Sequence, residues 1–379
     1  MNESNKEVLI DYLSLTFPLM VLAGDNEEEI KNEVIIMLRD YLGLDQCEVE
    51  ESGYSVNGFQ EQYTLSKHII LRLCGPRNSL GFKTCQLELR GEGCREFERL
   101  SDGKTWYDFF TFLETLSPKY KRLDVSIDDF DGDTVNMKYL INKFDNKYYT
   151  SVFKSPYKLI SSINKGDSIT FGSTTSGTQL CIYDKRLEQM SKGRIANKNY
   201  WTRYEMRFRQ ENADAMVQAL IYDYEDLSQE IYGINLKLFA YQQLYRILDI
   251  KKDNNYNLEH QKNAPTDDLW KSFLDNVEKG AFKKADPRAL KIDNSTDYIL
   301  PKFMIIFMSM LIRGKGNFNL YEYAFYKDMY NLSGKISKAQ FKRLNLFLKE
   351  TGNEQITMAQ YEYYRKQIYN KYMDMEVPF

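Results

Sequence analysis

Two hydrophobic spacings divide this chain. Up to about residue 225 apolar residues recur every second position in short runs; beyond it they fall at helical spacing. In Arg122–Asp128, Leu123, Val125 and Ile127 take one side, and Arg122, Asp124, Ser126 and Asp128 the other. Arg203–Arg209 repeats this with Tyr204, Met206 and Phe208 inward and Arg203, Glu205 and Arg207 outward. Period-2 alternation predicts half-buried strands. Leu180–Lys185 reads as another strand, entered from the loop Gly172–Gly177, with Tyr183 and Lys185 on one face. Further strands are predicted at Asp11–Phe17, Tyr54–Leu65, His68–Cys74 and Lys83–Leu89. Helices are predicted at Glu28–Tyr41, Glu96–Leu100 (after a Gly91-Glu92-Gly93 turn), Trp106–Leu116, Val135–Lys143, Arg186–Arg194 and Ala213–Ile221. The polar stretch Asn254–Pro265 reads as a linker. After it, Asp267–Lys279, Lys302–Ile312, Tyr321–Tyr330 and Ser337–Leu348 have helical periodicity. The fold class that follows is α+β: an antiparallel-sheet domain over residues 1–225, then an all-helical region over 226–379.

Composition narrows the setting. A length of 379 residues accommodates two domains, and 43% hydrophobic and 14% aromatic content describe a folded chain. The five cysteines are odd in number and scattered, as reduced core residues of a cytoplasmic protein would be. The first residues lack a secretory signature. The longest apolar stretch, Phe303–Ile312, spans about half of what a bilayer crossing needs, so no membrane partner is expected. The net charge of −3 conceals an asymmetry. Residues 251–379 hold 21 Lys and Arg against 16 Asp and Glu, a net of +5, leaving −8 on the rest. A basic part on an otherwise acidic chain points to a polyanionic partner.

Candidate chemistry is then limited by histidine. There are two, His68 and His260, far apart, which excludes paired-histidine metal motifs, zinc fingers and histidine-based triads. A metal would have to be held by carboxylates, which suit Mg²⁺ or Mn²⁺. Asp124 and Glu205 are the leading ligands, each an acid in the middle of an amphipathic strand. Asp128 lies roughly 13 Å along the strand from Asp124 at about 3.3 Å per residue, so with Asp129 it is assigned to the turn at Gly132. The alternative for Asp124 and Glu205 is a cross-strand ion pair with Arg122, Arg203 or Arg207. Tyr183 is the candidate nucleophile. A free phenol with a pKa near 10 is weak at neutral pH, so it needs neighbouring positive charge, part of which Lys185 could supply.

Several strings occur in a telling order: Asp11–Phe17, Leu87–Glu98 with its Gly-x-Gly-Cys-Arg-x-x-Glu core, Arg122–Asp128, Gly172-Ser173 with Ile182–Lys185, and Arg203-Tyr204-Glu205. Together they resemble the replication initiation factor family, which contains rolling-circle plasmid initiators and related conjugative-element relaxases of Gram-positive bacteria. The resemblance spans roughly residues 10–210. It implies a strand-specific nick at a DNA origin, in which Tyr183 becomes joined to the 5′ phosphate and a 3′ hydroxyl is freed. The family tyrosine falls on Tyr183; read from the residues, Lys185 is its catalytic partner, Asp124 and Glu205 are the metal candidates with Glu88 a weaker third acid, and Arg122, Arg203, Arg207 and Ser173 are the candidate phosphate contacts. The loop after Ser173 departs from the family, carrying Thr174 and Thr175 where a basic residue is common. In the basic C-terminal region, Lys338, Lys342 and Arg343 lie largely off the apolar stripe of a possible helix-turn-helix and are candidate contacts to double-stranded DNA. The rival function is a non-enzymatic DNA-binding initiator or regulator on the same scaffold. The sequence leaves open which host helicase would follow the nick and whether the chain forms a homodimer.

Overall fold

The computed structural model describes residues 5–280, except 20–25, 53–55, 57, 79–81, 133–134, 163–165, 197, 227–232 and 254–262, together with residues 341, 345, 348 and 354–373. The chain divides into two compact units, Met1–Pro76 with Thr84–Ala285, and Arg77–Lys83 with Asp286–Phe379.

In chain order the first unit contains β1 (Lys6–Pro18), α1 (Glu27–Leu42), β2 (Glu50–Ser52), β3 (Glu61–Ser66), β4 (Ile69–Gly75), β5 (Thr84–Arg90), α2 (Gly91–Leu100) and α3 (Trp106–Thr115). These are followed by β6 (Lys119–Asp129), α4 (Met137–Asp145), β7 (Tyr149–Ser151), β8 (Lys158–Ser162), β9 (Gly166–Phe171), β10 (Thr178–Asp184) and α5 (Lys185–Ser191). The unit ends with β11 (Thr202–Arg209), α6 (Glu211–Tyr222), β12 (Glu225–Asp226), β13 (Gly233–Ile234), α7 (Leu236–Ile247), β14 (Leu248–Ile250) and α8 (Asp268–Phe273). Ten strands form one sheet in the order β2-β3-β4-β5-β1-β6-β11-β10-β9-β8. Every pairing in it is antiparallel. The α+β class and the antiparallel sheet are as the alternation predicts.

One sheet face is apolar. Leu123, Val125, Ile127, Tyr204, Met206, Phe208, Leu180 and Ile182 are all fully buried there. Helix α6 packs over β6 and β11, and α7 over β1 and β6. From α8, Phe273 reaches the Tyr204 ring at 4.9 Å between centroids and Trp270 at 6.4 Å. Burying side chains of this size is worth roughly 1.5–3 kcal/mol each, which is why the sheet recruits these helices. Both α7 and α8 lie beyond residue 225, so helical periodicity and membership of the second unit are separate matters: these two helices cover the sheet of the first.

Three local expectations are corrected. Gly91-Glu92-Gly93 is the first turn of α2 rather than a free turn. A Cβ on Gly93 would sit 2.5 Å from the His68 carbonyl oxygen, so the glycine permits α2 to approach the β3–β4 connection. The predicted strand Tyr54–Leu65 is interrupted: Gly58 takes φ +82, a left-handed turn conformation, and regular pairing resumes only at Glu61. Lys185 leaves the strand and opens α5, because the Asp184 carboxylate accepts from Leu187 N at 2.8 Å and caps a helix there.

In the second unit, α9 (Met358–Met373) begins at a capping box, with Thr357 Oγ1 accepting from Gln360 N and Gln360 Oε1 accepting from Thr357 N. Asn345 bonds the backbone of Ile356 in both directions at 2.7 and 2.8 Å. The helices expected at 302–312 and 321–330, most of the one at 337–348, the candidates Lys338, Lys342 and Arg343, and the second histidine, His260, lie outside the described residues. Among the described residues no helix is long and apolar enough to cross a membrane.

Candidate active site

The second sheet face carries the polar residues, and strand register brings them together. Arg203 faces Asp128 across β11–β6, Glu205 faces Ser126, and Arg207 faces Asp124. On the other side of β11, Tyr183 faces Arg203 and Cys181 faces Glu205. Tyr12 on β1 faces Asp124. Tyr183, Asp124 and Glu205, which are far apart in sequence, thus share one patch spanning three adjacent strands.

The patch is a network of ion pairs. The Tyr183 hydroxyl donates to Glu205 Oε2 at 3.0 Å, and Arg207 Nε donates to Glu205 Oε1 at 2.7 Å. Arg122 grips Asp124 in a bidentate fork, with Nε at 2.8 Å from Oδ1 and NH2 at 2.5 Å from Oδ2. Arg203 forks onto Asp128 at 2.6 and 2.7 Å, and its NH1 meets Asp11 at 2.7 Å. Asp11 is available because register shifts between Ile10 and Tyr12, a bulge that re-aims its carboxylate. Asp124 and Glu205 are thus ion-paired, as the alternative reading had it, but along their own strands, with Arg122 on β6 and Arg207 on β11; across strands Asp124 meets Arg207 only at 3.9 Å. These pairs also correct the expectation of an open face: Asp124 is 1% exposed and Glu205 4%, covered by their own arginines.

Electrostatics separates the two central acids. Burial, then the Glu205 charge, pushes the Asp124 carboxyl up to about 7 against the opposing pull of Arg122. Glu205 is equally buried, yet the Arg207 hydrogen bond and charge hold it down at about 2. Neighbouring acids driven apart in this way are a recurrent property of reactive sites. Burial and the Glu205 charge also raise the Tyr183 phenol well above its ordinary value. Lys185, from its position on α5, lies 5.6 Å from the Tyr183 ring centroid and pairs with Glu188 at 3.1 Å.

The remaining candidates fall elsewhere. Glu88 is two strands from Asp124 and is held by three donors: Tyr12 at 2.7 Å, Arg72 at 2.7 Å and Arg90 at 2.8 Å. Ser173 sits in the turn at the far end of β10 from Tyr183, where its hydroxyl bonds Ser176 and Thr175. Asp128 is not a turn residue but the buried partner of Arg203. That pair, and Tyr12 and Asp11, were missed by sequence reasoning. Their signal is the alternation that places 122, 124, 126 and 128 on one face, but partner identity requires the register.

Among the described residues no three acid, histidine or cysteine side chains converge as a metal site. Asp124 and Glu205 are two buried acids whose charges repel each other, each held by its own arginine, Arg122 and Arg207. Their mutual repulsion lifts one of them toward neutrality, and Mg²⁺ is commonly held by one or two carboxylates plus substrate phosphate. Glu88, two strands from Asp124, does not join them.

Comparison with known proteins shows the family. A family model described as "Replication initiation factor" matches residues 118–312, more than half of the chain. The chain belongs to the replication initiation factor family. A second model, "Rolling Circle replication initiation protein N-terminal domain", matches residues 7–112. The replication initiation factor match carries Asp124, Tyr183 and Glu205; Tyr12 and Glu88 fall in the N-terminal one. The chain is 28% identical over 284 residues to "Putative DNA relaxase NicK" of Bacillus subtilis (strain 168), covering 73% of this chain and 72% of that protein. It shares its fold with the rolling-circle replication initiator protein of Geobacillus stearothermophilus, at a TM-score of 0.56 and 21% identity over 74% of this chain and 99% of that one.

Proposed function

We propose that this member of the family nicks one strand of an origin through Tyr183, forming a 5′-phosphotyrosine link and releasing a 3′ hydroxyl. The observation that carries this reading is the Tyr183 hydroxyl bonded to Glu205 within a patch where two buried acids differ sharply in proton affinity. The Tyr183 oxygen attacks phosphorus in line; the new O–P bond replaces the bond to the 3′ oxygen, which departs and takes a proton to become the hydroxyl. Glu205 orients the phenol. It is too weak a base to keep the phenolic proton, which passes on to solvent. Lys185, beside the ring, offsets charge building on the phosphate.

Asp124 and Glu205 would hold the divalent ion, which when bound would cancel the negative charge that keeps the phenol protonated and would polarise the phosphate oxygens. Because the phosphotyrosine retains the energy of the broken phosphodiester, the link can be resealed without a nucleotide cofactor, as origin firing and conjugative transfer both require. The test is supercoiled origin DNA incubated with Mn²⁺. Open circles with protein covalently attached are expected from the natural chain, and none from Tyr183→Phe. Adducts formed by Tyr183→Phe would move the nucleophile elsewhere. Retardation of the DNA without any open circles would favour the non-enzymatic reading.

A further inference from the structure

We infer that the cleft beside Tyr183 is a subsite for one unpaired nucleotide of the cut strand, stacked on Trp201 and held at a basic rim. This rests on the nicking reading and adds a substrate contact to it. The cleft lies between the start of α2 and helix α5, with Leu9, Asp11, Asp128 and Arg203 among the residues lining it. Its volume is about 450 Å³. Pockets for one small ligand run from roughly 300 to 1,000 Å³, so the space suits a single nucleotide and excludes a duplex.

Three properties of the wall specify the ligand. The first is charge: six basic side chains line the cleft (Arg90, Arg95, Lys185, Lys192, Arg194 and Arg203) against four acidic ones. Each of the six is ion-paired: Arg203 with Asp11 and Asp128, Arg194 with Glu92, Arg95 with Glu98, Arg90 with Glu88, and Lys185 and Lys192 with Glu188. A phosphate entering the cleft therefore meets paired cations, which it would share with their partners. The second is a pair of hydrogen-bond donors. Arg95 Nε and Trp201 Nε1 are buried and meet no acceptor in the protein. Buried N–H groups are nearly always satisfied, and these two, without an acceptor, belong to residues that line the cleft. The third is an aromatic wall, the Trp201 indole, itself backed by Phe130 at 5.7 Å. Bases of any identity stack on such a surface.

Continuity with the nucleophile makes the occupant a nucleotide of the strand. Arg203 is the cross-strand neighbour of Tyr183, Lys185 lies against the Tyr183 ring, and both line the cleft. A strand with its scissile phosphate at Tyr183 therefore delivers the adjoining nucleotide into the cleft. The ion pair of Glu92 on α2 with Arg194 just beyond α5, at 2.9 Å, joins the two walls at the rim.

The test uses the full chain and single-stranded oligonucleotides spanning the cleavage site, mapped with the natural chain on its own replicon. Abasic residues are placed at successive positions, and binding is read by anisotropy in the Tyr183→Phe background. One abasic position directly beside the cut should weaken binding about tenfold. Trp201→Ala should cause the same loss on the intact strand and no further loss on that abasic strand. Trp201→Phe, which retains an aromatic ring and the contact to Phe130, should recover most of the binding and shows that folding is not the cause. Equal losses at every abasic position, or no coupling to either Trp201 variant, would overturn the subsite while leaving the Tyr183 adduct intact. Thymidine monophosphate alone binding as tightly as the strand would also overturn it. A natural chain that cuts nothing overturns the nicking reading, and the subsite with it.

Discussion

Two tyrosines on one face of this sheet make the same first contact. Tyr183 donates to Glu205 and Tyr12 donates to Glu88, and each glutamate is held by arginine. They differ in what lies next to that contact. Glu88 is held by three donors, and the Tyr12 ring is covered by the Arg122 guanidinium at 4.3 Å. Glu205 is diagonal to Asp124, whose carboxyl is pushed up to about 7, and Tyr183 borders a basic cleft. A tyrosine–glutamate hydrogen bond therefore does not mark a nucleophile. An electrostatic misfit beside it, with room for a substrate, distinguishes the proposed reactive site from a lock in the sheet.

The comparison breaks most directly by removing each hydroxyl. Tyr183→Phe should abolish the covalent DNA adduct on denaturing gels. Tyr12→Phe should leave adduct yield unchanged and lower stability by about 1.5–3 kcal/mol, the cost of removing a hydrogen bond to a charged acceptor, read from urea unfolding. Adduct abolished equally in both variants would erase the distinction.

The next effect is on stability. Glu88→Gln should destabilise the first unit by roughly 3 kcal/mol in urea, because Arg72, 5% exposed, loses its carboxylate partner. The same variant should need no more Mn²⁺ for cleavage than the natural chain. Asp124→Asn and Glu205→Gln should each need more. A Glu88→Gln chain that demands extra metal would restore Glu88 to the ligand set.

The two central acids should also leave opposite marks on the pH dependence of stability. Asp124 titrates near 3.8 when unfolded and about 7 when folded, so the native chain holds an extra proton between these values. Its contribution is present below about 4 and is lost as pH rises toward 7. Glu205 goes from 4.5 to about 2, so its contribution is present above about 4.5 and is lost as pH falls toward 2. Asp124→Asn should flatten the decline between pH 4 and 7, and Glu205→Gln the acid limb below 4.5. Urea midpoints across pH measure both. Identical profiles for the two variants would mean that the acids are not split.

The smallest effect expected concerns binding alone. Neutralising Lys338, Lys342 and Arg343 together should weaken binding to duplex origin DNA. It should also reduce the slope of log affinity against log salt by up to about one for each phosphate no longer neutralised. Cleavage of a saturating single-stranded oligonucleotide should be unchanged. An equal loss of both activities would place these residues in the catalytic machinery.

Periodicity alone determined much of this protein. The alternation at Arg122–Asp128 and Arg203–Arg209 specified strands with one apolar and one charged face, because side chains alternate across a pleat. The order of short strings around Tyr183 was enough to reveal the family, and the scarcity of histidine removed whole classes of chemistry. Only tertiary structure decided which charge meets which. Arg203 could have faced any acid on its neighbours; antiparallel register gave it Asp128, and a single bulge added Asp11. Lys185 looked like a strand residue until Asp184 capped a helix. The helical periodicity expected at 267–279 has its counterpart in α8, yet the sequence could not say that Trp270 and Phe273 close over Tyr204. Secondary structure is set by neighbours along the chain, whereas pairing and burial are set by groups the fold brings from far away, and the proton affinities of Asp124 and Glu205 exist only once that assembly is made.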